Sequence, residues 1–415
     1  MSTNMRPGFA AWNAKIDVII LAAVATCAAG VALWRVPFSA PLPYYLDALE
    51  SFKAGNPVEL GFLPVGYLFY LLLPFRLAGE FGIYVAHLLS YFLTVLLAYV
   101  ILRLLNVRRF LLLGACLIIA LHPYLWINLK RVIDNNIAVP LLLMFVLVLV
   151  WIRAGHFNRW SLLLWAIVCG IMIQVRPNTA SLMPLAFGIL WVEERKRNFS
   201  RRHAFGLLGL FLVLVFGSMM LISLPMTGKI FYIPSNGVYN IFVGANEFTR
   251  EALLTQYNVE PSLGPALQYH GLSLEQPDFY ERVGRLGIEF IYNHPLEYVE
   301  LIGIKAFTLF RPDYRQVFTS NTVSVPVLLF LVQTVLSLPI VIWAVMHAVT
   351  WRIVSIWDGV MAIPVGFLYL IPFVLTTADP RYRLSLDVLL LIDVAFCMNQ
   401  WLAARARPVA LSQTI

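Results

Sequence analysis

Long apolar runs recur along almost the whole chain and limit what it can fold into. A helical run of about 17 to 25 apolar residues is long enough to cross the hydrocarbon core of a bilayer. Of the 415 residues, 60% are hydrophobic and only 13% are charged, which is too few charges for the surface of a soluble protein. The sequence therefore predicts an all-α, polytopic transmembrane helical bundle and argues against nucleic-acid binding.

About ten runs qualify as membrane spans. They lie at residues 17–34, 80–104, 110–129, 135–152, 160–174, 177–192, 204–224, 323–349, 356–376 and 384–402. A further run, 60–77, contains Pro64 and Pro74, and its inclusion as a span would reverse the sidedness of every later loop. Without it, the arginine-rich short loops all face the cytoplasm, as the positive-inside rule requires. We therefore expect a re-entrant or interfacial element at 60–77 and both termini in the cytoplasm.

This topology makes the chain a single domain, 1–415, with two substantial outer loops that carry juxtamembrane helices. The first loop, 36–79, contains an amphipathic stretch in which Asp47 and Glu50 alternate with apolar residues at helical spacing. These apolar residues are Tyr45, Leu46, Leu49 and Phe52. We expect this stretch to lie along the membrane surface with its acids facing water. The second loop, 225–322, should cap the bundle.

Several basic residues fall on the predicted outer face, against the usual charge bias of membrane proteins. They are Lys130, Arg131, Arg176, Lys305, Arg381 and Arg383. Because arginine binds phosphate oxygens through two parallel hydrogen bonds and lysine adds a point charge, the set could bind the phosphate of a polyprenyl lipid. Alternatively, each residue reaches to the interface or pairs locally, as Arg383 would with Asp387 one helical turn away.

Three acids are candidate catalytic residues: Asp47, Asp134 and Glu50. One carboxylate would act as a general base, and a second would orient an acceptor hydroxyl or hold a divalent cation, Mg²⁺ or Mn²⁺, at Asp134. No other cofactor is expected. Asp134 also precedes Asn135 and Asn136 at a predicted helix start, so capping of the helix would account for it equally well.

Six separated stretches resemble the GT-C superfamily of membrane glycosyltransferases, the bacterial relatives of protein O-mannosyltransferases and lipid A aminoarabinose transferases. They are the loop segment from Tyr45 to Gly55, the LPVGY stretch at 63–67, Val175-Arg176-Pro177, the NGVYNIFVGAN stretch at 236–246, Phe290 to Pro295 followed by Lys305, and Arg381-Tyr382-Arg383-Leu384. The matches keep the family's order along most of the chain. All of them fall on the predicted outer face.

The resemblance implies transfer of a sugar, with inversion, from a polyprenyl-phosphate donor to a cell-envelope glycan or glycolipid at the periplasmic face of a bacterial inner membrane. For donor-phosphate binding it implies Lys305, Arg381, Arg383, Arg176 and Arg131, and for acceptor or sugar binding Tyr44, Tyr45, Tyr239, Asn240 and Asn246. The family's first-loop acidic pair is replaced here by Pro41 and Leu42, so Asp47, or failing that Glu50, is expected to be the base. Asp134 matches the family's second-loop acid.

Two other functions are compatible with the same features. An O-antigen ligase or polymerase would also use a lipid-linked donor on the outer face, but its donor carries a glycan in place of a single sugar. A lipid-linked-sugar flippase or other transporter is favoured by Asp358, Asp387 and Asp393, which lie in late helices. Transporters usually show internal repeats and broken helices near the middle of the membrane, and the sequence contains neither.

Overall fold

The computed structural model describes residues 7–35, 43–54, 63–129, 131–196, 201–230, 236–256, 259–273, 276, 278–310, 340–355, 357–376 and 380–406. Lys130, Pro41 and Leu42 lie outside the described residues, and so do the side chains of Tyr44 and Arg381. The described part of the chain consists of helices and turns and contains no strand.

The helices follow one another with short connections. They are α1 (Pro7–Arg35), α2 (Pro43–Lys53), α3 (Val65–Leu104), α4 (Arg109–Ala120), α5 (Pro123–Leu129), α6 (Asn135–Arg153), α7 (Arg159–Val175), α8 (Met183–Lys196), α9 (Arg201–Thr227), α10 (Asn236–Gly244), α11 (Thr249–Gln256), α12 (Leu263–Tyr269), α13 (Phe279–Asn293), α14 (Pro295–Phe310), α15 (Ile340–Thr350), α16 (Ala362–Leu375) and α17 (Leu384–Arg405). Short 3₁₀ turns at Pro177–Leu182 and Pro380–Arg383 precede α8 and α17.

Four helices within the described residues are long and apolar enough to cross a membrane: α3, α6, most of α9, and α17. This is fewer than the ten spans predicted, because several apolar runs are divided or shortened. The run 110–129 is interrupted before Pro123, which begins α5, and the run 177–192 opens with a 3₁₀ turn. Most of the run 323–349 lies outside the described residues. The four long helices nevertheless indicate a membrane protein built as a helical bundle.

α3 is a hairpin of two antiparallel arms, residues 65–77 and 80–104. The chain reverses at Gly79, whose φ of +57° is one that glycine adopts without strain. Gly82 then packs directly against the backbone of Pro74, where any side chain would clash with the Pro74 carbonyl. The first arm therefore folds back along the second arm and does not extend it.

Helices α6, α7 and α9 pack around one buried aromatic residue. Trp165 of α7 is fully buried, and its ring centroid lies 5.3 Å from that of Phe145 on α6 and 5.7 Å from that of Phe211 on α9. Further along, Gly170 of α7 faces Ser218 of α9 so closely that no side chain would fit at position 170. Small residues of this kind allow helix backbones to approach in membrane bundles. This packing fixes the end of α7 and the residues that follow it.

The segment α10–α14 lies against the end of the bundle where α16 terminates. Gly244, at the end of α10, packs against the carbonyl of Thr376, and a side chain at position 244 would overlap it. The Tyr298 hydroxyl on α14 donates a hydrogen bond of 2.6 Å to the Leu375 carbonyl. Two separate contacts thus hold this segment to the last residues of α16.

Candidate functional site

Polar side chains meet at the end of the bundle where α6 and α17 begin and where α7 and α16 end. Asp134 and Asn135 lie at the start of α6, Arg176 follows α7, Tyr369 lies in the second half of α16, and Ser385 lies in the first turn of α17. We call these five residues the paired cluster. Residues that are far apart in sequence are thus brought together at one point.

Arg176 is the centre of the paired cluster. Its guanidinium forms a two-pronged ion pair with Asp134, with distances of 2.9 Å from Nε to Oδ2 and 2.8 Å from Nη2 to Oδ1. Nη2 also donates to Asn135 Oδ1 at 2.5 Å, and Nη1 donates to the Tyr369 hydroxyl at 2.8 Å. The Tyr369 hydroxyl in turn donates to Ser385 Oγ at 3.0 Å. Since bidentate pairs are among the strongest charged hydrogen bonds, Arg176 is held in one orientation.

Aromatic rings cover the rest of Arg176. The guanidinium lies 5.6 Å from the ring centroid of Phe373 and 5.1 Å from that of Tyr382, and these two rings stack on each other. The residue is only 3% exposed. The sequence predicted that Arg176 binds the donor phosphate. In the structure its charge is neutralised by Asp134 and its surface is covered, so we correct that assignment to a structural role.

Asp134 is committed to the same ion pair. It immediately precedes α6, but its side chain makes no capping hydrogen bond, so the capping interpretation is wrong. Both of its carboxylate oxygens contact Arg176. Because that neighbouring positive charge repels a cation, Asp134 does not fit a Mg²⁺ or Mn²⁺ ligand.

A second buried ion pair lies at the start of α17. Arg383 Nε is 3.0 Å from Asp387 Oδ1 and 3.1 Å from Oδ2, and neither residue is exposed. His122, in the turn between α4 and α5, places Nε2 3.6 Å from Asp387 Oδ2. The local pairing that the i, i+4 spacing suggested is thus confirmed. Arg383 is a buried partner of Asp387 and not an exposed ligand for a lipid headgroup.

α2 packs its apolar face on the first arm of α3. Tyr45 and Leu49 are buried while Asp47 and Glu50 are exposed, which confirms the predicted amphipathic helix. Glu50 Oε2 lies 3.9 Å from Lys53 Nζ. Asp47 makes no hydrogen bond or ion pair with any residue that the structure describes. Its carboxylate is therefore free to accept a proton from a bound molecule.

Tyr67, in the first arm of α3, connects α2 to the paired cluster. Its ring meets that of Tyr45 edge to face, with the centroids 5.3 Å apart, and its hydroxyl lies 3.1 Å from His87 Nε2 on the second arm. Asp134 also lies near this hydroxyl. Gly66 packs against the backbone just before Arg176, where a side chain would clash. The LPVGY stretch is therefore built into the same end of the bundle.

Lys305 on α14 is a buried cation of a different kind. Its side chain is fully buried, and Nζ lies 5.2 Å from the ring centroid of Tyr298 and 3.4 Å from the Leu375 carbonyl, to which it donates a long hydrogen bond. Gly244 leaves room for Nζ, since a Cβ there would lie 3.0 Å from it. No carboxylate of the described residues pairs with Lys305. We call Lys305, Tyr298, Gly244 and the Leu375 carbonyl the lysine pocket.

Burial has a direct consequence for the charge of this lysine. It lowers the pKa of Lys305 to about 7, because the ammonium loses its hydration without gaining a counter-charge. An anion bound at Nζ would restore the charged form. The lysine pocket is therefore electrostatically incomplete until it receives an anion or releases a proton.

An apolar groove of about 500 Å³ lies beside the lysine pocket, between α14, α15, α16 and α17. Ile302 and Ala306, which flank Lys305 on α14, form part of its wall, as does Leu375, whose carbonyl accepts the Lys305 hydrogen bond. None of the described lining residues is charged. A cation next to an apolar groove suits an amphiphile with an anionic head.

The residues predicted to contact acceptor or sugar do not form one group. Asn246 is buried and closes the turn after α10, because its Nδ2 donates to the Phe242 carbonyl at 2.8 Å and its Oδ1 accepts from the Phe248 amide at 2.9 Å. Asn246 therefore has a structural role. Tyr239 and Asn240 are half-buried on α10, the helix that ends at the lysine pocket.

The last predicted basic residues lie next to the two ion pairs. Arg131 is half-buried in the turn before Asp134. The backbone of Arg381 lies in the 3₁₀ turn before α17, and its side chain is outside the described residues. These positions bring both residues to the same end of the bundle as the paired cluster.

Two tyrosines of the site were missed in the sequence. Tyr369 lies in the apolar run 356–376, where a buried hydroxyl requires a hydrogen-bond partner. Tyr298 precedes Lys305 by seven residues, or two helical turns, so both lie on one face of α14. A search for polar groups inside apolar runs, and for partners at helical spacing from Lys305, could have identified both.

Comparisons with protein-family models, curated proteins and solved structures find no match for this chain. The functional argument therefore depends on the paired cluster and the lysine pocket. Of these two sites, only the lysine pocket contains a buried cation that lacks a counter-charge among the described residues.

Proposed function

We propose that this chain is a membrane glycosyltransferase of the GT-C type that transfers a sugar from a polyprenyl-phosphate donor to a cell-envelope glycan or glycolipid. It would cross a bacterial inner membrane about ten times, with both termini in the cytoplasm and the site on the periplasmic side. The separation of polar groups supports this orientation. The paired cluster and lysine pocket lie at one end of the bundle, whereas Arg109, paired with Asp17 at 2.7 Å, lies at the start of α4 on the other side.

The lysine pocket and its groove carry the proposal. A polyprenyl phosphate consists of a long apolar chain and an anionic head. The groove offers apolar walls for the chain, and Lys305 offers an unpaired positive charge for the phosphate. Arg176 and Arg383 no longer belong to the donor site, because Asp134 and Asp387 neutralise them; they hold the surrounding helix ends in place.

Asp47 is the proposed general base. It would remove the proton from an acceptor hydroxyl, whose oxygen then bonds to the anomeric carbon while the bond from that carbon to the phosphate oxygen breaks. Lys305 would stabilise the charge that develops on the departing phosphate. Asp134 is a poorer base, because Arg176 favours its ionised form and occupies both of its oxygens.

Sugar transfer by the purified protein in vesicles is the direct test. Wild-type protein should release polyprenyl phosphate from a donor that carries one sugar and form a glycosylated acceptor. Asp47→Asn should abolish release, since an amide cannot take the proton, while Glu50→Gln, equally exposed one turn away, should retain it. Full activity of Asp47→Asn would exclude Asp47 as the base. Release only from oligosaccharide-linked donors would identify a ligase or polymerase, and absence of release from every donor would reject the proposal.

A lipid-linked-sugar flippase is the second candidate, and buried acid–histidine pairs favour it. His122 faces Asp387 at 3.6 Å, and His347 faces Asp393 at 2.7 Å, both inside the bundle. Such pairs can relay protons in coupled transporters. Movement of an unmodified lipid-linked sugar between leaflets of the same vesicles, driven by a proton gradient and without sugar transfer, would select this function.

A further inference from the structure

Three potential metal ligands converge between α15 and α17, away from the proposed catalytic end. His347 Nε2 lies 2.7 Å from Asp393 Oδ2 and 3.8 Å from Cys397 Sγ. One ligand atom from each residue falls within 4.8 Å of the other two. Asp393 and Cys397 are four residues apart on α17 and share a face, and His347 reaches them from the facing helix. We propose that these three residues bind one divalent transition-metal ion, with Zn²⁺ as the expected metal.

The surroundings of Asp393 argue for a cation at this position. Its carboxylate is 3% exposed and accepts a hydrogen bond from Trp343 Nε1 at 3.0 Å, but no lysine or arginine of the described residues pairs with it. Gly359 packs against it from a third side, with its Cβ position 3.1 Å from Oδ1. A buried carboxylate without a full counter-charge is costly inside a membrane bundle. A divalent ion supplies that charge.

The donor set selects the class of metal. One imidazole nitrogen, one carboxylate oxygen and one thiolate sulfur suit Zn²⁺ and similar transition metals, whereas Mg²⁺ and Ca²⁺ prefer oxygen ligands alone. Around a tetrahedral Zn²⁺, bond lengths of about 2.0 to 2.3 Å place a nitrogen and an oxygen about 3.3 Å apart and a nitrogen and a sulfur about 3.6 Å apart. The 3.8 Å separation between Nε2 and Sγ is close to this value, and the 2.7 Å separation between Nε2 and Oδ2 must widen modestly.

Proton movements accompany the binding step. The Cys397 thiol proton is released to solvent, and the proton between His347 Nε2 and Asp393 Oδ2 shifts to Nδ1 or leaves, so that Nε2 offers a lone pair. The fourth coordination position is left for water. The ion then links α15 to α17, which is a structural role independent of sugar transfer. It is also separate from Asp134, where the geometry does not fit a cation.

Cobalt binding to the full-length protein in detergent tests the inference, since Co²⁺ replaces Zn²⁺ and reports its ligands spectroscopically. After chelator treatment, wild-type protein should bind one Co²⁺ per chain and show a thiolate-to-cobalt charge-transfer band. Cys397→Ser should lose that band and bind at least about tenfold more weakly, and His347→Gln should also bind weakly. Cys169→Ser, which alters a buried thiol on α7, should behave as wild type. Zn²⁺ should raise the thermal midpoint of wild type but not that of His347→Gln.

Two results would overturn the inference. One is the absence of Co²⁺ binding to folded wild-type protein, and the other is a charge-transfer band that persists in Cys397→Ser, which would assign the ion to another thiol. Size-exclusion profiles in metal-free buffer establish that each variant is folded. If His347→Gln does not fold, Cys397→Ser remains decisive, because only the sulfur of the ligand set gives the band.

Discussion

Arg176 and Lys305 are both buried cations at the same end of the bundle, yet their surroundings differ fundamentally. Arg176 has a bidentate carboxylate partner, two further hydrogen bonds and two covering aromatic rings. Lys305 has one long hydrogen bond to a carbonyl and one tyrosine ring. The sequence placed both in the donor site. The comparison teaches that the availability of a buried cation depends on its partners across the bundle, which its own position does not reveal.

Energetics give this difference a functional meaning. A buried charge without a counter-charge costs several kcal/mol, so it is retained only if it loses its proton or gains a partner. Arg176 gains its partner from Asp134, within the chain. Lys305 needs a partner from outside, and the predictions below test that division.

Removal of Asp134 should have the largest effect, because it leaves Arg176 buried with an uncompensated charge. We expect Asp134→Ala to lower the free energy of unfolding by about 3 kcal/mol in a denaturant titration in detergent. Asp278→Ala is the matched control, since Asp278 also precedes a helix without capping it and is exposed. It should change stability by less than about 0.5 kcal/mol. Equal effects of the two variants would show that the Asp134–Arg176 pair contributes no stability.

Gly244→Ala should have an intermediate effect, since the added Cβ would overlap the Thr376 carbonyl and crowd Lys305 Nζ. Forced overpacking of this kind costs about 1 to 3 kcal/mol. Gly303→Ala on α14, where the added Cβ meets no atom within 4 Å, should instead be neutral or slightly stabilising. The same unfolding assay distinguishes them, and an unaffected Gly244→Ala would mean that α10 does not pack tightly at the lysine pocket.

Tyr298→Phe should have the smallest effect. It removes the hydroxyl that donates to the Leu375 carbonyl but keeps the ring that faces Lys305 Nζ. We expect a loss of about 0.5 to 1.5 kcal/mol in the free energy of unfolding. Binding of a lipid phosphate should be nearly unchanged in this variant. A large loss of binding would indicate that the hydroxyl, and not only the ring, belongs to the lipid site.

Local features of the site were predictable from the sequence because they depend on helical spacing. The amphipathic α2, with Asp47 and Glu50 exposed, follows from its periodicity, and the Arg383–Asp387 pair follows from its i, i+4 separation. The boundaries of α6 and α7 also lie within a residue of those expected.

Long-range features of the site were not predictable in this way. The pairing of Asp134 with Arg176 depends on how α6 and α7 meet, and a helix-start pattern gave the capping interpretation instead. The return of residues 65–77 along the second arm of α3 depends on the reversal at Gly79 and on close packing at Gly82. Neither contact leaves a periodic signal in the sequence.

The most direct test of the central claim is the pH dependence of lipid binding at Lys305. With a pKa lowered to about 7, the free lysine is mainly charged below that pH and neutral above it. Affinity for a lipid phosphodiester, whose own charge is constant in this range, should therefore fall by up to about tenfold per pH unit above pH 7. Lys305→Met should bind about ten- to a hundredfold more weakly than wild type at about pH 6, with a flat pH profile. Lys53→Met, on the exposed surface of α2, serves as the control and should bind as wild type. Wild-type affinity that is independent of pH and equal to that of Lys305→Met would contradict the claim that Lys305 binds the donor phosphate.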